Sequence, residues 1–283
     1  MNHLYLDISK MPYMGPGAFV TWLVFAICAA KLLGEKLFIL NKSKWVWLEN
    51  NKLSFDELFD IPNTVTIDSN NQTESKLRYS TDCFNLQLRK RFIDERNYLA
   101  FLDNIRKSSN LQKQVARSII RPLRNEVSCE KFALWIFRSG DKTIGPWREA
   151  DQLTNLKYFF DLSLNLGIYS ELTNIYLIGD SLKRLESVAQ SISKYSKYTG
   201  TIKYNPKEIR SPWFGEQHRK KKVESEVIEK VLKATFVNFS IARQASRIVG
   251  PQSSYYFKVC SLLSTGTTIS LGQESKFNRF FPI

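Results

Sequence analysis

The chain has 283 residues, 43% hydrophobic and 24% charged, an ordinary globular balance that excludes disorder as the default and allows one large domain or two small ones. Forty-one Lys and Arg against 27 Asp and Glu give a formal charge of +14. The partners that suit it are therefore anionic: nucleotide phosphates, nucleic acid, or an acidic membrane surface touched peripherally. The clusters Arg89-Lys90-Arg91 and Arg219-Lys220-Lys221-Lys222 read as solvated faces in preference to a binding site. Cys28, Cys83, Cys129 and Cys260 stand far apart and the histidines are His3 and His218, which argues against a zinc site, a redox motif or a histidine triad and for reduced, mostly buried thiols.

Residues 4–8 read as a strand, followed by a loop holding Pro12, Gly15, Pro16 and Gly17, an apolar helix over 19–33 and a buried strand at 37–40. The apolar run 18–30 ends at Lys31, short of the roughly 20 residues of a membrane span. No positive segment precedes it, so the expectation is a cytoplasmic protein, soluble or peripheral. Residues 45–81 are polar, with one short helix at 55–59. Residues 86–125 have helical spacing, and Phe92, Tyr98, Phe101, Leu102, Ile105 and Leu111 read as core. Strands at 132–137, 174–179, 201–204 and 247–250 then alternate with helices at 153–166, 181–195 and 224–240, the pattern of parallel sheets covered on both faces. Two α/β domains are expected, 1–130 and 131–283.

Polar groups follow three of these strands: Arg138 to Lys142, then Asp180-Ser181, then Gly250 to Ser254 before a helix opening at Tyr255. In parallel sheets ligands sit beyond the strands' carboxyl ends, and a guanidinium fork with helix N-terminal amides suits a diphosphate. The alternative readings are an ion pair of Arg138 with Asp141 or Asp180, and a plain helix cap at Ser253-Ser254. Trp45, Trp47, Trp147 and Trp213 suit either a sugar-stacking platform or core packing.

These residues resemble the α1,6-fucosyltransferases and the wider GDP-fucose-dependent transferases, which include the nodulation and protein O-fucosyltransferases. Leu134 to Lys142 is similar to the family's strand ending His-Val-Arg-Arg-Thr-Asp-Lys: Arg138, Asp141 and Lys142 match, while Ile136 and Ser139 replace a histidine and an arginine. Tyr176 to Asp180 is similar to Tyr-Leu-Ala-Thr-Asp, and Ala245, Val249, Ser253 and Ser254 fall in register with the nucleotide-binding segment. The Gly15-Pro16-Gly17 loop looks like the family's opening Gly-x-Gly. Asn238 stands where the family has a guanine-pairing carboxylate, and an amide accepts one hydrogen bond where a carboxylate accepts two, so the donor base stays open between guanine and uracil. Glu149 aligns with the family's Thr-Glu-Ala carboxylate, Asp151 being the alternative.

The resemblance implies two Rossmann-like domains of the B-type glycosyltransferase arrangement, with the active site in the cleft between an N-terminal acceptor domain and a C-terminal nucleotide-sugar domain. It implies an inverting transfer to a glycan hydroxyl, fucose from a GDP donor or a sugar such as xylose from UDP. Arg138, Lys142 and Glu149 would be catalytic, and Gly15, Gly17, Arg138, Asp141, Asp180, Asn238, Ser253 and Ser254 would hold the donor. No Asp-x-Asp pair occurs, so neither a metal nor a cofactor is expected. The competing classes are a non-catalytic polyanion- or nucleic-acid-binding protein, for which no specific nucleic-acid motif is seen, and a scaffold on a degenerate transferase fold.

Overall fold

The computed structural model describes residues 3–11, 14–45, 47–48, 52–61, 65–68, 80–123, 131–137, 174–179, 181–194, 200–205 and 224–271. The chain divides into two compact units, Met1–Arg121 with Val223–Glu229 and Arg279–Ile283, and Pro122–Lys222 with Lys230–Asn278. Both are built on parallel sheets, as the alternation of patterns predicts.

The first unit carries a three-stranded sheet in the order β1 (His3–Asp7), β2 (Lys36–Leu40), β3 (Val65–Asp68). β1 and β2 are joined by α1 (Pro16–Leu33), three residues longer at its start than its apolar pattern predicts. Pro16 occupies the first helical position, where no N–H is needed. Gly34 ends the helix at φ 66, its N–H reaching the carbonyls of Ala30 and Lys31. From Phe19 to Ala30 every residue of α1 is buried, because β2 and α5 (Ser109–Ile119) both pack on it, and a helix apolar all round needs such cover. By length and composition α1 could cross a membrane, a correction to the shorter run at 18–30. Its burial makes it the core helix of this unit.

Phe19 stacks on Trp45 with ring centroids 4.1 Å apart, and Phe59, which ends the short helix α2 (Phe55–Leu58), meets Phe19 edge-on at 5.8 Å. Trp45 and Trp47 are buried, so these two belong to the interior and not to a sugar platform. Trp147 and Trp213 lie outside the described residues. The free edge of β1 is closed by α3 (Ser80–Arg89). The Gln87 amide donates to Tyr5 O at 3.0 Å and accepts from Tyr5 N–H at 2.9 Å, and Arg91 donates to His3 O at 3.0 Å while gripping both oxygens of Glu35. An edge satisfied in this way offers no template for another strand.

The single helical stretch expected over 86–125 is three helices, α3, α4 (Glu95–Lys107) and α5, separated by caps at Asp94 and Ser108. Of its six expected core residues only Ile105 is fully buried. Phe92, Tyr98 and Phe101 instead cover one another at 5.0–5.9 Å and stay half-buried, since little but α1, α3 and α5 packs against α4.

The second unit has a five-stranded sheet in the order β6 (Thr201–Lys203), β5 (Asn174–Gly179), β4 (Ala133–Phe137), β7 (Arg247–Pro251), β8 (Thr267–Leu271). β4 is central and buried throughout, which explains its unbroken apolar sequence. Trp135, Phe137, Leu177 and Val249 build one core with Leu185, Val188 and Ile192 of α6 (Leu182–Ser193). β3 and β8 had no counterpart in the sequence reading, and the helix expected at 153–166 lies outside the described residues. Cys28 and Cys260 are buried and free. Burial pushes the Cys28 thiol up to about 12 and raises that of Cys260 as well, so both remain protonated near neutrality. Cys83 is half-buried, and Cys129 lies outside the described residues.

A Cβ added at Gly179 would sit 2.6 Å from the Phe137 carbonyl oxygen and 2.8 Å from Leu185 Cδ2, and the backbone oxygen cannot retreat without opening the sheet. Gly179→Ala is expected to destabilise the protein by about 2 kcal/mol, read from the urea midpoint. An unchanged midpoint would show that β4 and β5 separate more easily than this packing implies.

Candidate functional site

The order of the second sheet reverses at β4: the chain steps outward to β5 and β6, then returns to β7 and β8 on the other side. At such a reversal the connections leaving the two central strands part, and the crevice opens at the carboxyl edge. The strands end nearly level there, with Phe137 beside Gly179 and Trp135 beside Val249. Arg138 follows β4 and Asp180 follows β5 in sequence. Arg138, Asp141, Lys142, Glu149, Asp151 and Asp180 all lie outside the described residues.

The exit from β7 is described in full. A Cβ at Gly250 would meet Phe257 Cδ2 at 2.5 Å and Ile136 Cβ at 3.1 Å, so a glycine here lets the first turn of α8 (Tyr255–Leu263) close down on the strand. Gln252 N–H continues the ladder to Leu271 O at 3.0 Å, and Ser254 N–H turns back to Pro251 O at 3.0 Å. Ser254, 1% exposed, is the cap of α8: its hydroxyl accepts from Phe257 N–H. The cap reading therefore holds for Ser254. Ser253 differs, since its Oγ is buried and has no hydrogen-bond partner among the described residues. A buried hydroxyl without a partner is costly. This one precedes a helix N-terminus, whose amides and dipole favour an anionic oxygen.

Asn238 sits on α7 (Ser225–Gln244) and is 3% exposed. The ring of its neighbour Phe239 lies 5.2 Å from that of Tyr256 in the first turn of α8. Asn238 thus lies on a helix whose next residue touches the first turn of α8, the helix that Ser254 caps and the Ser253 turn leads into. In that same turn the Lys258 ammonium lies 5.6 Å from the Tyr255 ring centroid, a cation that the sequence reading left without a role.

Gly15 and Gly17 belong to the first unit. Gly15 is the N-cap residue of α1, and nothing lies within 4 Å of where its Cβ would stand. Gly17 is buried, its carbonyl accepting from the Thr21 hydroxyl at 2.8 Å. Behind the loop, Trp47 Nε1 donates to Met14 O at 2.9 Å. One polar cluster was missed: Asp7 Oδ1 accepts from Ser9 N–H, Ser9 Oγ and Asn41 Nδ2 at 3.1, 2.7 and 2.9 Å. Asn41 has φ 55, a left-handed conformation that asparagine tolerates. An Asp ending one strand and an Asn following the next were the available signal. Among the described residues no group of three or more His, Cys, Asp or Glu side chains could hold a metal.

No protein-family model matches the sequence, and no curated protein does. Solved structures do match in fold. A NodZ α1,6-fucosyltransferase co-crystallised with GDP superposes at a TM-score of 0.54 with 14% identity, over 96% of each chain. The NodZ enzyme soaked with GDP-fucose gives 0.52 and 12%, over 93% of this chain and 92% of that one. Fucosyltransferase NodZ from Bradyrhizobium gives 0.51 and 15%, over 93% of each. The chain therefore has a fucosyltransferase-like fold across nearly its whole length.

The two serines should separate under substitution. Ser254→Ala removes the α8 cap and is expected to cost about 1 kcal/mol, whereas Ser253→Ala should leave stability unchanged or raise it slightly. Equal losses in urea unfolding would contradict this division of roles.

Proposed function

We propose that the chain is a glycosyltransferase that takes a nucleoside-diphosphate sugar, with GDP-fucose the donor best supported by the likeness to NodZ structures carrying GDP and GDP-fucose. The observation that carries this reading is the unpartnered Ser253 hydroxyl before the N-terminus of α8, at the strand-order reversal of a fucosyltransferase-like sheet. It is a place suited to a diphosphate. The proposal extends to the B-type arrangement, in which the C-terminal unit serves the donor and the N-terminal unit the acceptor.

In the proposed mechanism Arg138, Lys142 and the Ser253-Ser254 turn face the donor's diphosphate. Positive groups fixed there stabilise the charge that grows on the leaving phosphate as the anomeric bond breaks. Glu149, or Asp151 in its place, accepts the proton of the acceptor hydroxyl as it attacks from the opposite face, which inverts the anomeric centre. The absence of an Asp-x-Asp pair from the sequence supports a transfer driven by these cations without a divalent metal. Asn238 bears on the base: its amide matches the N3–H and O4 of uracil as well as the N1–H and O6 of guanine, so a UDP-sugar is the second reading.

Thermal unfolding with GDP or UDP, each with and without magnesium, tests the proposal, because a ligand that binds only the folded state stabilises it by about 2.7 kcal/mol at a hundredfold excess over Kd. The expected result is a GDP-selective rise that magnesium does not change. A UDP-selective rise would reassign the donor, and no response to either would sink the transferase reading in favour of a polyanion-binding or scaffold protein.

Arg138→Ala should abolish transfer and most of the nucleotide response while leaving the unliganded midpoint in place. Near-normal turnover in that variant would remove Arg138 from the phosphate site.

A further inference from the structure

Apart from the donor site, the first unit exposes apolar side chains among cations where α3 meets α4. Ile93, in the turn between them, is 97% exposed, and Leu99 on α4 and Leu86 on α3 are 53% and 46% exposed. Arg96, Leu99 and Arg106 recur on one side of α4, and Leu86 and Lys90 lie one turn apart.

Two acids of this segment are held in ion pairs, and the third, Asp94, is an exposed carboxylate held by neutral donors alone. Glu95 pairs with Arg89 and Asp103 with Lys107, while Asp94 caps α4 and binds Asn97. Lys90, Arg96 and Arg106 are exposed and have no carboxylate partner among the described residues. Phe92, Tyr98 and Phe101 form a half-buried aromatic cluster beneath Ile93's end of the helix.

We propose that the α3–α4 turn and the outer side of α4 dock on an anionic lipid surface, with Ile93 and Leu99 entering the headgroup region and Lys90, Arg96 and Arg106 meeting the phosphates. An exposed apolar tip on a turn and helix whose unmatched cations, Lys90, Arg96 and Arg106, outnumber their one unmatched carboxylate, Asp94, is the pattern of an interfacial contact. A second copy of the chain suits this face poorly, because pairing it with itself would bring like charges together on molecules of net charge +14.

Co-sedimentation of the full chain with phosphatidylcholine vesicles, with and without about one-third phosphatidylglycerol, tests the proposal. The protein should bind the anionic vesicles alone, and binding should collapse as salt shortens the Debye length from about 10 Å at 0.1 M to about 3 Å at 1 M. Ile93→Glu and Arg96→Glu should each lower partitioning by about tenfold or more. Both variants should keep the wild-type unfolding midpoint and nucleotide response, so a failure here is separable from a failure of the donor-site reading. Wild-type protein left in the supernatant, or undiminished binding by Ile93→Glu, would overturn the proposal. So would a wild-type dimer that Ile93→Glu dissociates, which would give the face to a second copy.

Discussion

The pairing of β4 in parallel with both β5 and β7 is the constraint on which the second unit depends. Parallel neighbours force every connection to cross over a face and deliver every carboxyl end to one edge. The sheet must then be apolar on both faces, which β4 satisfies with five consecutive buried residues. Polar groups can then collect only where the strands stop. Gly179 and Gly250 make that edge compact, each allowing a helix to approach closer than any side chain would permit. Moving α8 outward would widen the turn that holds Ser253.

Polar groups near the strand ends fall into two kinds. Ser254 and Asp7 are spent on their own surroundings, one closing a helix and the other tying the residues after β1 and β2 together. Ser253 is not committed in this way. The difference between adjacent serines comes from the turn at Pro251, which aims one hydroxyl at Phe257 N–H and leaves the next outside the capping geometry.

Most of the second sheet was legible because its central strands are continuously apolar: the expected strand at 174–179 coincides with β5. β8 was not legible because it is an edge strand of Thr-Thr-Ile-Ser-Leu with only Leu271 buried, leaving no periodic apolar signal. The helical period of 86–125 was correct in kind and wrong in consequence. Spacing reveals which residues share a side of a helix and not whether anything covers that side, and on α4 only Ile105 is fully covered. At the candidate site, Ser254's role as a cap could be read from its place before an apolar helix. The orphaned oxygen of Ser253 depends on a tertiary turn and could not.

The apolar helix α1 has a consequence for how the chain is made. Its cover comes partly from β2, which follows at once, and partly from α5, whose first residue lies 76 positions after Leu33. At synthesis rates of 5–20 residues per second, that interval leaves one flank of an 18-residue apolar helix without its partner for roughly 4 to 15 seconds. During those seconds the nascent chain presents a segment that resembles a membrane span to whatever factors survey the ribosome exit. Of those two covering elements, only β2 is at hand in that interval.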